Sequence, residues 1–136
     1  MSRTDPSQYV VLDTHAVYWY WTRSARIGPG AMAVLQALET GEMTGLVPIL
    51  AVAELHYLTR KAGTPWPIDW ILHLIDRSPS LRLEPLTRRH LLAFAQLGSI
   101  PEMHDRFIAA AGLLHDALVV SRDADIRACD LIHSVW

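Results

Sequence analysis

The 136-residue sequence predicts an α/β fold, a central and mostly parallel sheet between two helical layers. Three observations predict it. Segments with strand character alternate with helical segments along the whole chain. The strand segments are short continuous apolar runs, such as YVVL at 9–12 and ALVVS at 117–121, as expected of strands buried on both faces. Hydrophobic residues make up 51% of the chain and charged ones 19%, enough apolar material for one core.

The elements follow in order. Residues 1 to 8 read as a polar tail, and 9 to 136 as one domain. YVVL is the first strand, and a helix runs from Thr14 to about Trp21. The next helix begins near Pro29, a favoured first-turn residue, and ends at Gly41. MTGLV at 43–47 is the second strand, after which Pro48 opens the helix ILAVAELHYLTRKAG. Basic residues and Gly63 close that helix, as the helix dipole favours. WPIDWILHLIDRS is helical, LRLEPL a strand, and TRRHLLAFAQLGS a helix capped by Thr87. HDRFIAAAGLLHD is a further helix, in which Ala and Gly permit close packing. ALVVS and LIHSVW supply the last two strands.

Composition narrows the function. No apolar run approaches the roughly 20 residues of a membrane span, and MSRTDPSQ lacks the apolar centre of a secretory signal. Cys129 is the lone cysteine, so no internal disulfide forms and a cytoplasmic setting is expected. The formal net charge is −2, which does not announce a nucleic-acid binder. Eleven of the 12 basic residues are nonetheless Arg, the side chain suited to paired phosphate contacts.

In a parallel α/β sheet, sites form beyond the carboxyl ends of the strands. Four acids occupy such places or the adjoining helices. Asp13 ends YVVL, Asp123 lies just past ALVVS, Asp105 begins the Ala-rich helix, and Glu54 interrupts the apolar ILAVAELHYL. Each has a plain structural reading. Asp13 can cap a helix, Asp105 can complement a dipole, Asp123 can turn the chain, and Glu54 can pair with Lys61 or an Arg. Gathered at one sheet edge, however, four carboxylates repel one another, and divalent cations relieve that repulsion. Oxygen donors without Cys or His favour Mg²⁺ or Mn²⁺ over zinc.

VVLDTHAVYW, VAELHYLTRKAG, IPEMHDRFIAAAG and VVSRDADI resemble, in order and spacing, the signature segments of PIN-domain nucleases. The branch they resemble most is the VapC toxins of bacterial toxin–antitoxin pairs. This resemblance spans residues 9 to 136 and implies a PIN-like α/β/α fold. It implies that Asp13, Glu54, Asp105 and Asp123 are catalytic and hold one or two Mg²⁺ or Mn²⁺ ions for endonucleolytic RNA cleavage. Thr14 and Ser121 match polar positions that orient the acids. Arg106, directly after Asp105, is expected to pair with a neighbouring acid and fix the helix start, with phosphate contact as the alternative. Glu102 stands where some relatives carry a further Asp and stays outside the core set; Asp125 rivals Asp123, which better fits the Ser/Thr-x-Asp pattern. An RNA substrate, a VapB-like antitoxin and a homodimer within the toxin–antitoxin complex are the implied partners. Two-cation analogy implies 5′-phosphate and 3′-hydroxyl products.

Other features point less sharply. His15 and His104 flank two of the acids and read as structural or rim residues; the remaining histidines show no ligand spacing. Arg88 and Arg89 start a helix and read as solvated surface. Tyr18, Trp19, Tyr20 and Trp21 cannot share one helical face, so part of the run enters the core and the rest offers a groove to a partner helix. An aspartyl-phosphate receiver is an alternative for Asp13. LDTH lacks a second acid two residues on, and no Lys follows the late strand. A silent PIN-like binding module is the other.

Overall fold

The computed structural model describes residues 8–136. The expected tail therefore falls, except for Gln8, outside the described residues. Strand β1 (Tyr9–Leu12) is followed by helices α1 (Thr14–Trp21) and α2 (Pro29–Glu39), then β2 (Thr44–Pro48). Helices α3 (Ile49–Lys61) and α4 (Ile68–Arg77) lead to β3 (Leu81–Glu84). Helices α5 (Arg88–Ala95) and α6 (Met103–His115) return the chain to β4 (Leu118–Val120), and α7 (Ala124–Ala128) precedes β5 (Ser134–Val135).

The five strands are all parallel, in the order β3-β2-β1-β4-β5, with helices on both faces. This is the three-layer architecture expected. β1 is central: Val10 pairs with Gly45 on one side and Leu118 on the other. Val10, Val11, Leu12, Val119 and Val120 are almost wholly buried, which explains why these strands read as unbroken apolar runs. The chain builds outward through β2 and β3, then crosses back to β4. The strand order thus reverses between β1 and β4, and a crevice forms at such a switch point.

Boundaries differ from expectation where local chemistry decides. Pro48 opens α3 as its N-cap, as expected, and is at the same time the last residue of β2, one residue beyond the expected strand end. β3 stops at Glu84, because Pro85 has no N–H for the ladder. The five-residue α7 has no counterpart among the expected elements: Asp123, whose plain structural reading is a turn residue, accepts from the Ile126 amide at 3.0 Å and caps it.

One glycine is required by packing. A Cβ on Gly112 of α6 would lie 2.4 Å from Val119 Cγ2 in β4, and valine has little rotamer freedom to yield. Gly112→Ala should therefore destabilise the fold by about 1–3 kcal/mol, read from denaturant unfolding.

Candidate active site

The crevice between β1 and β4 is walled by acids. Asp13 follows β1 and is 8% exposed. Its main-chain N–H continues the β1–β4 ladder by donating to Val120 O at 3.1 Å. Its carboxylate accepts from the Ser121 hydroxyl at 2.6 Å and from the Thr14 amide at 2.7 Å. Asp13 thus caps α1 as its plain reading held, while its other oxygen is held by the far strand.

The remaining acids arrive from three helices. Glu54, on α3, accepts from the Thr14 hydroxyl at 2.7 Å. Asp105 lies in the first turn of α6, where the Glu102 carboxylate accepts from its amide at 3.0 Å. Asp123 caps α7, and its amide donates to Ser121 Oγ at 3.0 Å. Thr14 and Ser121 are therefore connectors: one hydroxyl ties α1 to Glu54, the other ties Asp123 to Asp13. Asp13, Glu54, Asp105 and Asp123 line one cavity of about 310 Å³, together with Thr14, His15, Leu58 and Arg122.

The electrostatics follow from this crowding. Burial pushes the Asp13 carboxyl above its usual range, against the pull of the Ser121 and Thr14 hydrogen bonds. Burial raises Glu54 as well, partly offset by Thr14 and by His104, whose Nδ1 lies 3.5 Å from the carboxylate. Asp105 is pushed up to about 7, first by burial and then by repulsion from Asp123, Asp13, Glu102 and Glu54. Among the described residues no Lys or Arg forms an ion pair with any of the four. An oxygen-only donor set with a charge deficit of this kind suits a hard divalent cation.

Several expectations change on inspection. Arg106 pairs with no acid among the described residues; its Nε donates to Phe94 O at 2.9 Å and the guanidinium lies over the Phe94 ring. It fixes α6 against α5 through a carbonyl and a ring instead. Glu54 makes no pair with Lys61, which lies at the end of α3 outside the cavity lining. Asp125 is exposed and outside the cavity, whereas Asp123 lines it. Glu102 lies at the α6 entry and does not line the cavity. Burial alone would raise its carboxyl, but amide hydrogen bonds, led by Asp105, hold it below the usual range.

His15 lines the cavity wall, and burial lowers its pKa. Sequence reasoning passed over Arg122, between Ser121 and Asp123. Its guanidinium lies 4.4 Å from the Trp19 ring centroid, and the residue lines the cavity. Its place immediately after a strand end was the available signal. Part of the aromatic run enters the core, as expected, with Trp19 only 3% exposed; Trp19, Tyr20 and Trp21 together line a second cavity of about 810 Å³ between α1, α2 and the α4–β3 turn. That cavity is larger, but Arg23 and Glu39 are its only charged lining residues, so the clustered chemistry lies in the acid pocket.

Fold and site together define a class, the parallel α/β proteins with a carboxylate pocket at the sheet's switch point. A profile of the PIN domain matches residues 10–131, nine-tenths of the sequence. The chain belongs to the PIN domain family, whose members are nucleases acting on phosphodiester bonds. Solved structures share the fold at low identity. VapBC2 from Rickettsia felis, bound to a DNA fragment from its promoter, aligns with TM-score 0.69 and 15% identity over 93% of this chain and 97% of that one. A toxin–antitoxin complex from Klebsiella pneumoniae aligns with TM-score 0.61 and 13% identity over 90% and 94%. The PIN domain endonuclease Utp24 aligns with TM-score 0.51 and 20% identity over 97% and 88%. No curated protein sequence matches significantly.

Proposed function

We propose that this chain is a Mg²⁺- or Mn²⁺-dependent endoribonuclease that acts as the toxin of a toxin–antitoxin pair. The observation that carries the chemistry is the convergence of Asp13, Glu54, Asp105 and Asp123 on one cavity where, among the described residues, no Lys or Arg forms an ion pair with them and only His104 approaches Glu54. These four residues would hold one or two divalent ions. When bound, such ions supply Lewis acidity for activating water and for neutralising charge that grows on the phosphate oxygens.

The chain's own residues do the rest. Ser121 and Thr14 fix the carboxylate planes of Asp13 and Glu54 through the hydrogen bonds above. Asp105, pushed up to about 7, is part-protonated near neutrality, and a bound cation would favour its charged form. Arg122 and His15, on the cavity wall, supply donors for a substrate phosphate. Ser121→Ala removes one donor from Asp13 and the acceptor of the Asp123 amide. It should lower cation affinity or cleavage rate by roughly 10–100-fold, the usual cost of losing an outer-shell partner. Cation titration of the cleavage rate in both proteins checks this.

The toxin role rests on likeness to VapBC2 and to the Klebsiella toxin–antitoxin complex. An antitoxin segment with an apolar helical face suits the 810 Å³ cavity beside Tyr20, Trp21, Ile27 and Met32. Leu91 and Leu92, exposed on α5, offer an apolar face for the expected homodimer.

Brief induction of the chain alone, with mapping of new RNA 5′ ends, tests the reading. Recurrent cleavage sites and growth arrest are expected, with rescue by the protein encoded beside it. Purified protein that cleaves no RNA with either ion would overturn the nuclease reading, and harmless expression of an active enzyme would overturn the toxin role alone.

A further inference from the structure

We propose that Glu84, His90 and His115 form a second metal site, of the Zn²⁺ class, separate from the acid pocket. The three residues come from the end of β3, the first turn of α5 and the last residue of α6. Nothing in their spacing along the chain suggests a site; tertiary packing of α5 on α6 brings them together. One potential ligand atom from each lies within 4.8 Å of the others. Both imidazoles present Nε2 to the same oxygen, Glu84 Oε2, at 2.9 Å for His90 and in direct contact for His115. The trio is shielded, with the Glu84, His90 and His115 side chains 12%, 5% and 27% exposed.

Two imidazole nitrogens and one carboxylate oxygen are a donor set for zinc and its neighbours, in contrast to the all-oxygen set of the acid pocket. Three protein ligands leave a fourth position. A cavity of about 300 Å³ adjoins the three, lined also by Thr87, Arg88 and Arg89, and gives that position access to water. The second nitrogen of His90 is held in turn: Nδ1 lies 2.7 Å from Thr87 Oγ1. A proton on Nδ1 donates to that hydroxyl and leaves Nε2 free to ligate, the outer-shell arrangement typical of metal-bound histidine.

The competing arrangement is a clamp in which each Nε2 carries a proton and donates to Glu84. His90 Nδ1 then accepts from the Thr87 amide at 3.2 Å. Moving to the metal-bound form needs a tautomer change at both rings and loss of that amide contact. The ligand atoms must also open to roughly 3.3 Å apart, the separation set by tetrahedral bonds of about 2.0–2.1 Å. Those adjustments lie within side-chain reach.

The test uses the full chain carrying Asp13→Asn and Asp105→Asn, which weakens any binding at the acid pocket. After removal of metal by chelator, Zn²⁺ is titrated by calorimetry and Co²⁺ by visible absorption. One Zn²⁺ per chain, not displaced by excess Mg²⁺, and ligand-field bands from Co²⁺ are expected. Adding His115→Gln or the isosteric Glu84→Gln should weaken Zn²⁺ by about tenfold or more and abolish the Co²⁺ bands, with the fold checked by circular dichroism. His115 is partly exposed at a helix end, so its variant should fold. No stoichiometric Zn²⁺ binding, or equal binding in both variants, would overturn the proposal and leave the trio a hydrogen-bonded clamp.

Discussion

Asp13→Asn should abolish cation-dependent RNA cleavage while leaving the fold as stable as before, or more so. The two halves of this outcome have one cause. The Asp13 carboxyl sits where burial disfavours its charge, a cost that the Ser121 and Thr14 hydrogen bonds offset in part and the proposed cation would offset further. Asn removes the charge and keeps the shape. Its carbonyl oxygen can accept from the Thr14 amide, and its NH₂ can donate to Ser121 Oγ, which retains a lone pair for the Asp123 amide. The Ser121 hydroxyl proton loses Asp13 as its acceptor, a cost set against the relief of the buried charge. Cleavage should fall by roughly 100-fold or more, beyond the usual cost of an outer-shell loss. The Tm measured in chelator at neutral pH should be unchanged or raised, a trade of function against stability. Cleavage within a few-fold of the parent would remove Asp13 from the proposed active set. A large fall in Tm would make the cap on α1 its main role.

The second large effect is a pH dependence that runs opposite to the usual behaviour of paired carboxylates. Asp105 rises from 3.8 to about 7 on folding. Between those values the folded chain holds a proton that the unfolded chain has released, so unfolding releases protons and stability falls as pH rises. The contribution is fully present below pH 3.8 and lost as pH passes about 7. Asp13 and Glu54 are also raised and push in the same direction. In chelator, the Tm should therefore drop between about pH 5 and pH 8. Saturating Mn²⁺ should flatten that slope by binding the ionised form of the folded state alone. Asp105→Asn should flatten it without the ion. A cation-free Tm that rises steadily over this range would show that the carboxylates are stabilised by something other than a cation.

Much of this was legible before any coordinates. YVVL and ALVVS read as buried parallel strands because apolar residues on both faces leave no alternation to mask them. Asp13 and Asp123 stood out because each lies just past such a run, and the fold places strand ends together; Ser121 came from the family resemblance. Glu54 was conspicuous as a carboxylate in an apolar helix. What stayed hidden depends on tertiary contact. Arg106 finds a carbonyl and a ring on α5, which no local pattern encodes. The helix α7 is five residues long, too short for any periodicity to declare it. Glu84, His90 and His115 lie on three elements, and only the packing of α5 on α6 makes them neighbours. Arg122 was overlooked between two residues that drew attention for their oxygens.

The hydrogen bond from Ser121 to Asp13 joins positions 108 residues apart. It has a consequence for synthesis. A ribosome adds Asp123 long after Asp13, so a growing chain lacks the complete acid set until residue 123 is in place. Products that stop before residue 121 carry neither the hydroxyl that holds Asp13 nor the acid that faces it. For an enzyme whose proposed substrate is RNA, a polymer present throughout its own manufacture, the proposed activity is deferred until residue 123 has been added.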